Sequence, residues 1–225
     1  MKIPLAQYDS QMTVIVRIAG NRALFTNPSM GTMEKFSYPT LPPSAARGII
    51  TSIFGKPQME WIPLRIYTAK PGRRDTCVIN ERQLSHTKNT SPFIGKTCQI
   101  HMSYLRDVEY FVEVSPFVHI PFKRKNPNDK NFPGKYISQL VRRLERGTYF
   151  KKPYLGRSEF TCETTLEHKW PEEQPMMNAN VPSLLNGIVH NLDGTKKTIF
   201  FNAEIKGGNL NVPFLVCNPG GGLDD

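Results

Sequence analysis

Residues 36–61, FSYPTLPPSAARGIITSIFGKPQMEW, restrict the possible folds of this chain more than any other stretch. Pro42 and Pro43 fall where a helix begins, since the first N–H groups of a helix have no partner inside it. Ala46, Ile49, Ile50 and Ile53 then recur at i, i+3, i+4 and i+7, which gives a helix one apolar face. Gly55 and Pro57 end it, and Trp61–Thr68 follows as an alternating strand in which Pro63 marks an edge or a bulge. A first strand precedes it at Thr13–Ile18, with Val14, Val16 and Ile18 on one face. The chain therefore opens strand, helix, strand.

Pro71–Gln99 loses this periodicity and reads as an inserted hairpin arm rich in Gly, Arg, Asn, Ser and Thr. Alternation returns at Tyr104–Val118, where Val108, Tyr110, Val112 and Val114 share a face. A polar loop precedes a second helix at Tyr136–Arg146, striped by Ile137, Leu140, Val141 and Leu144 and ended by Gly147. Tyr154–Thr165 reads as the next strand. The order is β-α-β-β-α-β, an α+β ferredoxin-like (RRM-like) domain, on which many RNA-binding modules are built. Beyond it, Leu185–Leu192, Thr198–Ile205 and Leu210–Val216 predict a small antiparallel β-sheet appendage, the last two joined by a turn at Gly207-Gly208. The expected division is 1–168 for the domain, with the arm at about 71–99, and 178–225 for the appendage.

The 225 residues carry 29 Lys and Arg against 19 Asp and Glu, a net charge of +10. The charge is clustered at Lys70/Arg73/Arg74, Lys123-Arg124-Lys125, Arg142/Arg143/Arg146 with Lys151-Lys152, and Lys196-Lys197, interleaved with Tyr, Phe and His. Single clusters are ordinarily solvated faces; together they point to a polyanion, and aromatic interleaving points to nucleic acid. Cys77, Cys98, Cys162 and Cys217 form no Cys-x-x-Cys pair and have no histidine at zinc-finger spacing, so neither a metal site nor a disulfide framework is expected. No run approaches the ~18 apolar residues of a membrane helix. A cytoplasmic protein with reduced thiols and no membrane association is expected.

Several pieces, in order, resemble the CRISPR-associated Cas five family of the RAMP superfamily, in its subtype I-C form. They are Ala23–Pro28, Ser37-Tyr38, Pro43–Ile49, Lys56–Trp61, Leu105–Val108, Arg142-Arg143 with Gly147, Pro153–Gly156 with Glu159-Phe160, and a tail with His190, Phe200-Phe201, Ala203 and Val212-Pro213. The resemblance implies a Cascade subunit that binds the repeat-derived 5′ handle of CRISPR RNA beside a backbone subunit and a large subunit. Target DNA would be engaged only indirectly. It also implies cleavage of the precursor CRISPR RNA by a metal-independent endoribonuclease without cofactors: the 2′-hydroxyl attacks the adjacent phosphate, leaving a cyclic phosphate and a free 5′-hydroxyl. The alternative is a non-catalytic RNA-binding cap, with processing done by a separate nuclease.

In that family a Tyr at the end of the first helix and a Lys-His pair before the second do the chemistry. Here those positions hold Phe54, Lys135 and Tyr136. Phe54 moves no proton, and a phenol of ordinary pKa about 10 is a poor base at neutral pH. Loss of a positioned acid or base costs about two to four orders of magnitude in rate. Lys135, Tyr136 and Tyr38 are the catalytic candidates, with His101 as a possible substitute, His86 as a loop contact, and His119 and His190 as packing residues. Candidate RNA contacts are Lys35, Arg47, Lys56, Arg73, Arg74, Asn80, Arg82, Arg142, Arg146, Lys151 and Lys152. Where relatives show Arg-Arg-Asn-Glu this chain has Val78-Ile79-Asn80-Glu81, so a different repeat is the expected ligand.

Overall fold

One strand of 22 residues, β5 (Thr97–Val118), organises the main sheet because each half of it has its own partners. The computed structural model describes residues 12–28, 34–82, 97–119, 132–171, 177–191 and 194–217. The second half of β5 pairs antiparallel with β1 (Val14–Ala23) on one edge and with β3 (Met59–Lys70) on the other. Its first half pairs antiparallel with β4 (Arg73–Arg82), from Arg73↔Arg106 to Arg82↔Thr97, and in parallel with the short β2 (Glu34–Phe36). The expected arm is thus two paired strands, β4 and the start of β5; the residues between them, His86 included, lie outside the described residues.

Asp107 marks the change of partner on β5. Its φ of 58° lies in the left-handed region, which Asp tolerates better than most residues. Gly72, at φ 77° between β3 and β4, packs against the Arg106 carbonyl there; an added Cβ would lie 2.5 Å from that oxygen.

The main sheet runs β6-β1-β5-β3-β9, with β6 (Glu163–Glu167) outside β1 and β9 (Asn209–Asn211) outside β3. One face is apolar: Val16, Ile18, Tyr110, Val112 and Val114 are fully buried. The other carries ion pairs, Arg17 and Lys70 both on Glu109, and Arg65 on Glu113 at 2.7 Å. Helices α1 (Pro43–Ile53) and α2 (Phe132–Glu145) pack on the sheet and touch each other. α1 buries the Ala46, Ile49, Ile50 and Ile53 stripe, each side chain contributing about 1.5–3 kcal/mol except the smaller alanine.

Two elements differ from the sequence reading. The strand expected at Tyr154–Thr165 is reduced to β6, because residues 154–162 turn inward instead. Leu155 is fully buried, its carbonyl accepts from Leu24 N–H, and Gly156 lies at φ 85° against the end of β1. The turn at Gly207-Gly208 forms, yet β9 leaves its hairpin partner and pairs with β3, held where Thr68 N–H donates to the Gly208 carbonyl. The second sheet is therefore only β7 (Ala179–His190) with β8 (Lys196–Ile205). Pro63 does sit at a register shift, as expected for a residue without an N–H.

Among the described residues no helix is long and apolar enough to cross a membrane. Gly156 is the backbone position with the least room, since a Cβ there would lie 1.8 Å from the Leu24 carbonyl oxygen. Gly156→Ala is expected to lower the unfolding free energy by at least about 2 kcal/mol, seen as a lower urea midpoint at unchanged m-value.

Candidate functional site

The last turn of a helix leaves carbonyls with no partner inside it, and in α1 each nearby structural element answers one of them. Phe54 N–H donates to Ile50 O, and Ser52 Oγ to Ile49 O. Lys151 N–H donates to Ser52 O at 2.9 Å, and Phe150 N–H to Ile53 O at 3.2 Å. Arg143 Nη1, from α2, also donates to Ile53 O at 2.6 Å, and Trp61 Nε1 donates to Phe54 O at 2.6 Å. A guanidinium at this helix end is further favoured by the helix dipole.

Phe54 and Tyr136 meet beside this end. Their rings are 6.2 Å apart, with Arg143 5.2 Å above Phe54 and Trp61 edge-on at 6.5 Å. The two positions that the resemblance assigns to proton transfer are therefore neighbours, but Phe54 is 2% and Tyr136 4% exposed. Lys135, one residue earlier on α2, is exposed.

The cations around them are arranged differently. Lys56, Arg142, Arg146, Lys151 and Lys152 are all exposed, and among the described residues none is paired with a carboxylate. Lys151 Nζ lies 5.5 Å above the Tyr154 ring. A groove of about 380 Å³ opens next to it, between the outer face of α1 and residues 150–156.

The same segment reaches the arm. Arg157 Nη1 donates to Glu81 Oε1 of β4 at 2.8 Å, and Lys35 Nζ of β2 donates to both Glu81 oxygens at 2.7 Å. These two cations hold the Glu81 carboxyl below its ordinary range, Lys35 first and Arg157 second. Arg74, an exposed residue, donates to Ser103 Oγ and Ser37 O. Arg73 is freer, 83% exposed with only a 4.0 Å approach to Asp107. Asn80 and His101 are exposed on the arm, while Arg82 closes β4 with a side chain outside the described residues. Residues 150–157 thus join the end of α1 to the arm.

Four expectations are corrected by burial, pairing or exposure. Arg47 is not a surface cation: it is 9% exposed, and its guanidinium donates to Trp61 O at 3.1 Å, Leu215 O at 3.0 Å and Cys217 Sγ at 2.6 Å, pinning the C-terminal segment. Tyr38 is not poised as a base: it is 3% exposed, its hydroxyl donates to Ser183 O at 2.7 Å, and burial raises its pKa. Lys35 is neutralised by Glu81. His190 is exposed rather than packed, whereas His119 is 2% exposed, edge-on to Phe117, with burial lowering its pKa.

The family model described as CRISPR-associated protein (Cas_Cas5), in its Cas5d form, matches residues 13–198. The chain belongs to the Cas5 family. A CRISPR pre-crRNA endoribonuclease Cas5d of Mannheimia succiniciproducens is 30% identical over 217 residues, covering 88% of this chain and 93% of that one. Another Cas5d of the same description, from Thermus thermophilus, is 32% identical over 147 residues, covering 64% of this chain and 60% of the relative's length. Among solved structures, a functionally uncharacterized protein of Streptococcus mutans, SMU1763c, superposes with TM-score 0.64 at 20% identity, covering 89% of this chain and 92% of the other. A CRISPR-associated protein gives TM-score 0.63, also at 20% identity, covering 89% and 91%. These last two establish likeness of fold.

Two residues of this Cas5 chain are brought forward by the geometry. Arg157 was not separable from other scattered arginines, because its partner Glu81 is 76 positions away. Phe150 carried a usable signal, an aromatic pair Tyr149-Phe150 running directly into Lys151-Lys152 after a helix-ending glycine. Its 84% exposure is what makes it unusual.

Glu81 ionises more readily folded than unfolded, so it stabilises the fold above its unfolded pKa and that contribution is lost as pH falls below about 4.5. The stability of Glu81→Gln is expected to change less between pH 6 and about 3 than that of the unaltered chain, measured by urea midpoints across pH. Arg47→Met is expected to cost about 2–4 kcal/mol by orphaning buried carbonyls, with the salt dependence of any polyanion binding unchanged in the folded fraction.

Proposed function

We propose that this chain binds the repeat-derived 5′ handle of CRISPR RNA within a type I-C Cascade complex and processes the precursor transcript as a metal-independent endoribonuclease. The observation that carries this reading is the 30% identity over 93% of a relative described as a CRISPR pre-crRNA endoribonuclease. The free cations at the end of α1 fit it, since phosphate contacts need exposed, uncommitted Lys and Arg. The strand order β6-β1-β5-β3 with α1 and α2 supports a ferredoxin-like unit over 1–168, with its arm at about 71–99 and the β-rich part of 178–225 as an appendage. The proposed partners are the backbone and large subunits, with target DNA reached through them.

For cleavage, the 2′-hydroxyl gives its proton to water as its oxygen bonds to phosphorus, the bond to the departing 5′-oxygen breaks, and that oxygen takes a proton from water, leaving the cyclic phosphate and a 5′-hydroxyl. Lys135 is the exposed cation that would offset charge on the phosphorane. Arg142, Arg146, Lys151, Lys152 and Lys56 would hold phosphates, and Arg73, Asn80 and Arg82 would face the handle from the arm. A second reading, a binding cap without cleavage, is favoured by one observation: Phe54 and Tyr136 are packed against each other and buried, so neither reaches a substrate as the chain stands.

Purified protein incubated in EDTA with labelled repeat RNA separates the two. Cleavage of that RNA, but not of RNA with a 2′-deoxy at the scissile position, supports the enzyme; intact RNA that nonetheless binds tightly supports the cap. The double variant Phe54→Tyr with Tyr136→His is expected to raise the single-turnover rate by about 10²–10⁴-fold, with unchanged affinity for uncleavable RNA.

A further inference from the structure

The groove beside Phe150 has a wall that the folding of the chain leaves bare. One side is the outer face of α1, with Ala45, Gly48 and Ser52; the other is Phe150, Lys151 and Tyr154. Phe150 is 84% exposed, although the main chain on which it stands is fixed by the bonds from Phe150 N–H to Ile53 O and from Lys151 N–H to Ser52 O. A large apolar ring held outward on a fixed backbone is a cost to the isolated chain, and such surface marks contact with a ligand or partner.

The charges decide which kind. Among the described residues that line the groove, Lys151 and Tyr154 are the ionisable ones and none is a carboxylate. Lys152 adjoins it, and Arg142 and Arg146 stand on the nearby end of α2, all exposed. An aromatic face with uncommitted cations on its rim suits a base with its phosphates, whereas an apolar peptide would have to bury those cations unpaired.

We propose that this groove is a base-stacking subsite in which an unpaired nucleobase of single-stranded RNA lies on the Phe150 ring, its flanking phosphates on Lys151 and Lys152. This rests on the RNA-binding reading above and adds a subsite to it. Stacking uses the π-face that every base has, so the subsite reads strandedness and not sequence. Duplex RNA, whose bases are already stacked, does not occupy it.

Gly48 supplies a way to block the groove. A Cβ added there meets no atom within 4 Å, so a longer side chain at this exposed helical position projects into open space, while helix propensity improves. Gly48→Leu therefore fills the groove without loading the core, and Gly48→Ala serves as the control that leaves it open.

The test uses the full chain and a single-stranded RNA of mixed sequence, titrated at several salt concentrations. Phe150→Ala is expected to bind about tenfold more weakly with an unchanged salt slope, and Gly48→Leu to weaken binding alike. Lys151→Ala is expected to lower the slope by about 1. Phe150→Trp is expected to keep wild-type affinity and to gain an indole emission that RNA quenches, beyond any change in the unaltered protein. Wild-type affinity in both Phe150→Ala and Gly48→Leu, with no added quenching in Phe150→Trp, would overturn the subsite while leaving RNA binding intact. Loss of assembly with partner subunits at unchanged RNA affinity would make the groove a protein-docking face and also overturn it. If the unaltered chain binds no RNA even at low salt, the RNA-binding reading fails first and the subsite with it.

Discussion

The carbonyls at the end of α1 are the constraint on which the site depends. Four donors from three elements converge there, namely the indole of Trp61, the guanidinium of Arg143, and the main-chain N–H groups of Phe150 and Lys151. Each bond contributes only about 1 kcal/mol net, but leaving a buried carbonyl unanswered costs more, so the convergence is obligatory. In satisfying them the chain places α2, β3 and the 150–157 segment around one point. The cations and the exposed ring follow from that placement.

A division of labour among the basic residues follows as well. Arg47 holds the C-terminal segment, Lys35 and Arg157 tie the arm through Glu81, and Arg17, Lys70 and Arg65 lace one face of the sheet. Those side chains are engaged by the protein's own groups. Among the described residues, the exposed cations without a carboxylate partner include the set near α1 and α2, Arg74 on the arm and Lys196-Lys197 on β8, so the net charge overstates the surface left for a polyanion.

Phe54 and Tyr136 are coherent as packing. Two rings and a guanidinium fill the space between α1 and α2, in contact that aromatic pairs and cation–π geometry favour. Phe54 adds no polar atom to that space. The contact adds helix–helix packing at this point, while Lys135, one residue before Tyr136, stays exposed.

The sequence by itself determined the local elements. The apolar stripe of residues 46–53, the alternation of 108–114 and the proline at 63 each specify a period or a break that neighbouring residues enforce, and the ordered motifs were enough for the family. Tertiary structure alone decided which like residues serve which end. Arg47 and Arg142 look alike in the chain, and only the arrival of Leu215 and Cys217 against α1 makes one internal while the other stays in water. The same holds for β9, which leaves its hairpin to cover the edge of β3, and for Phe150, held outward by bonds to a helix end nearly 100 residues earlier. Periodicity is a property of adjacent residues, whereas burial and pairing belong to residues that meet only once the chain has folded.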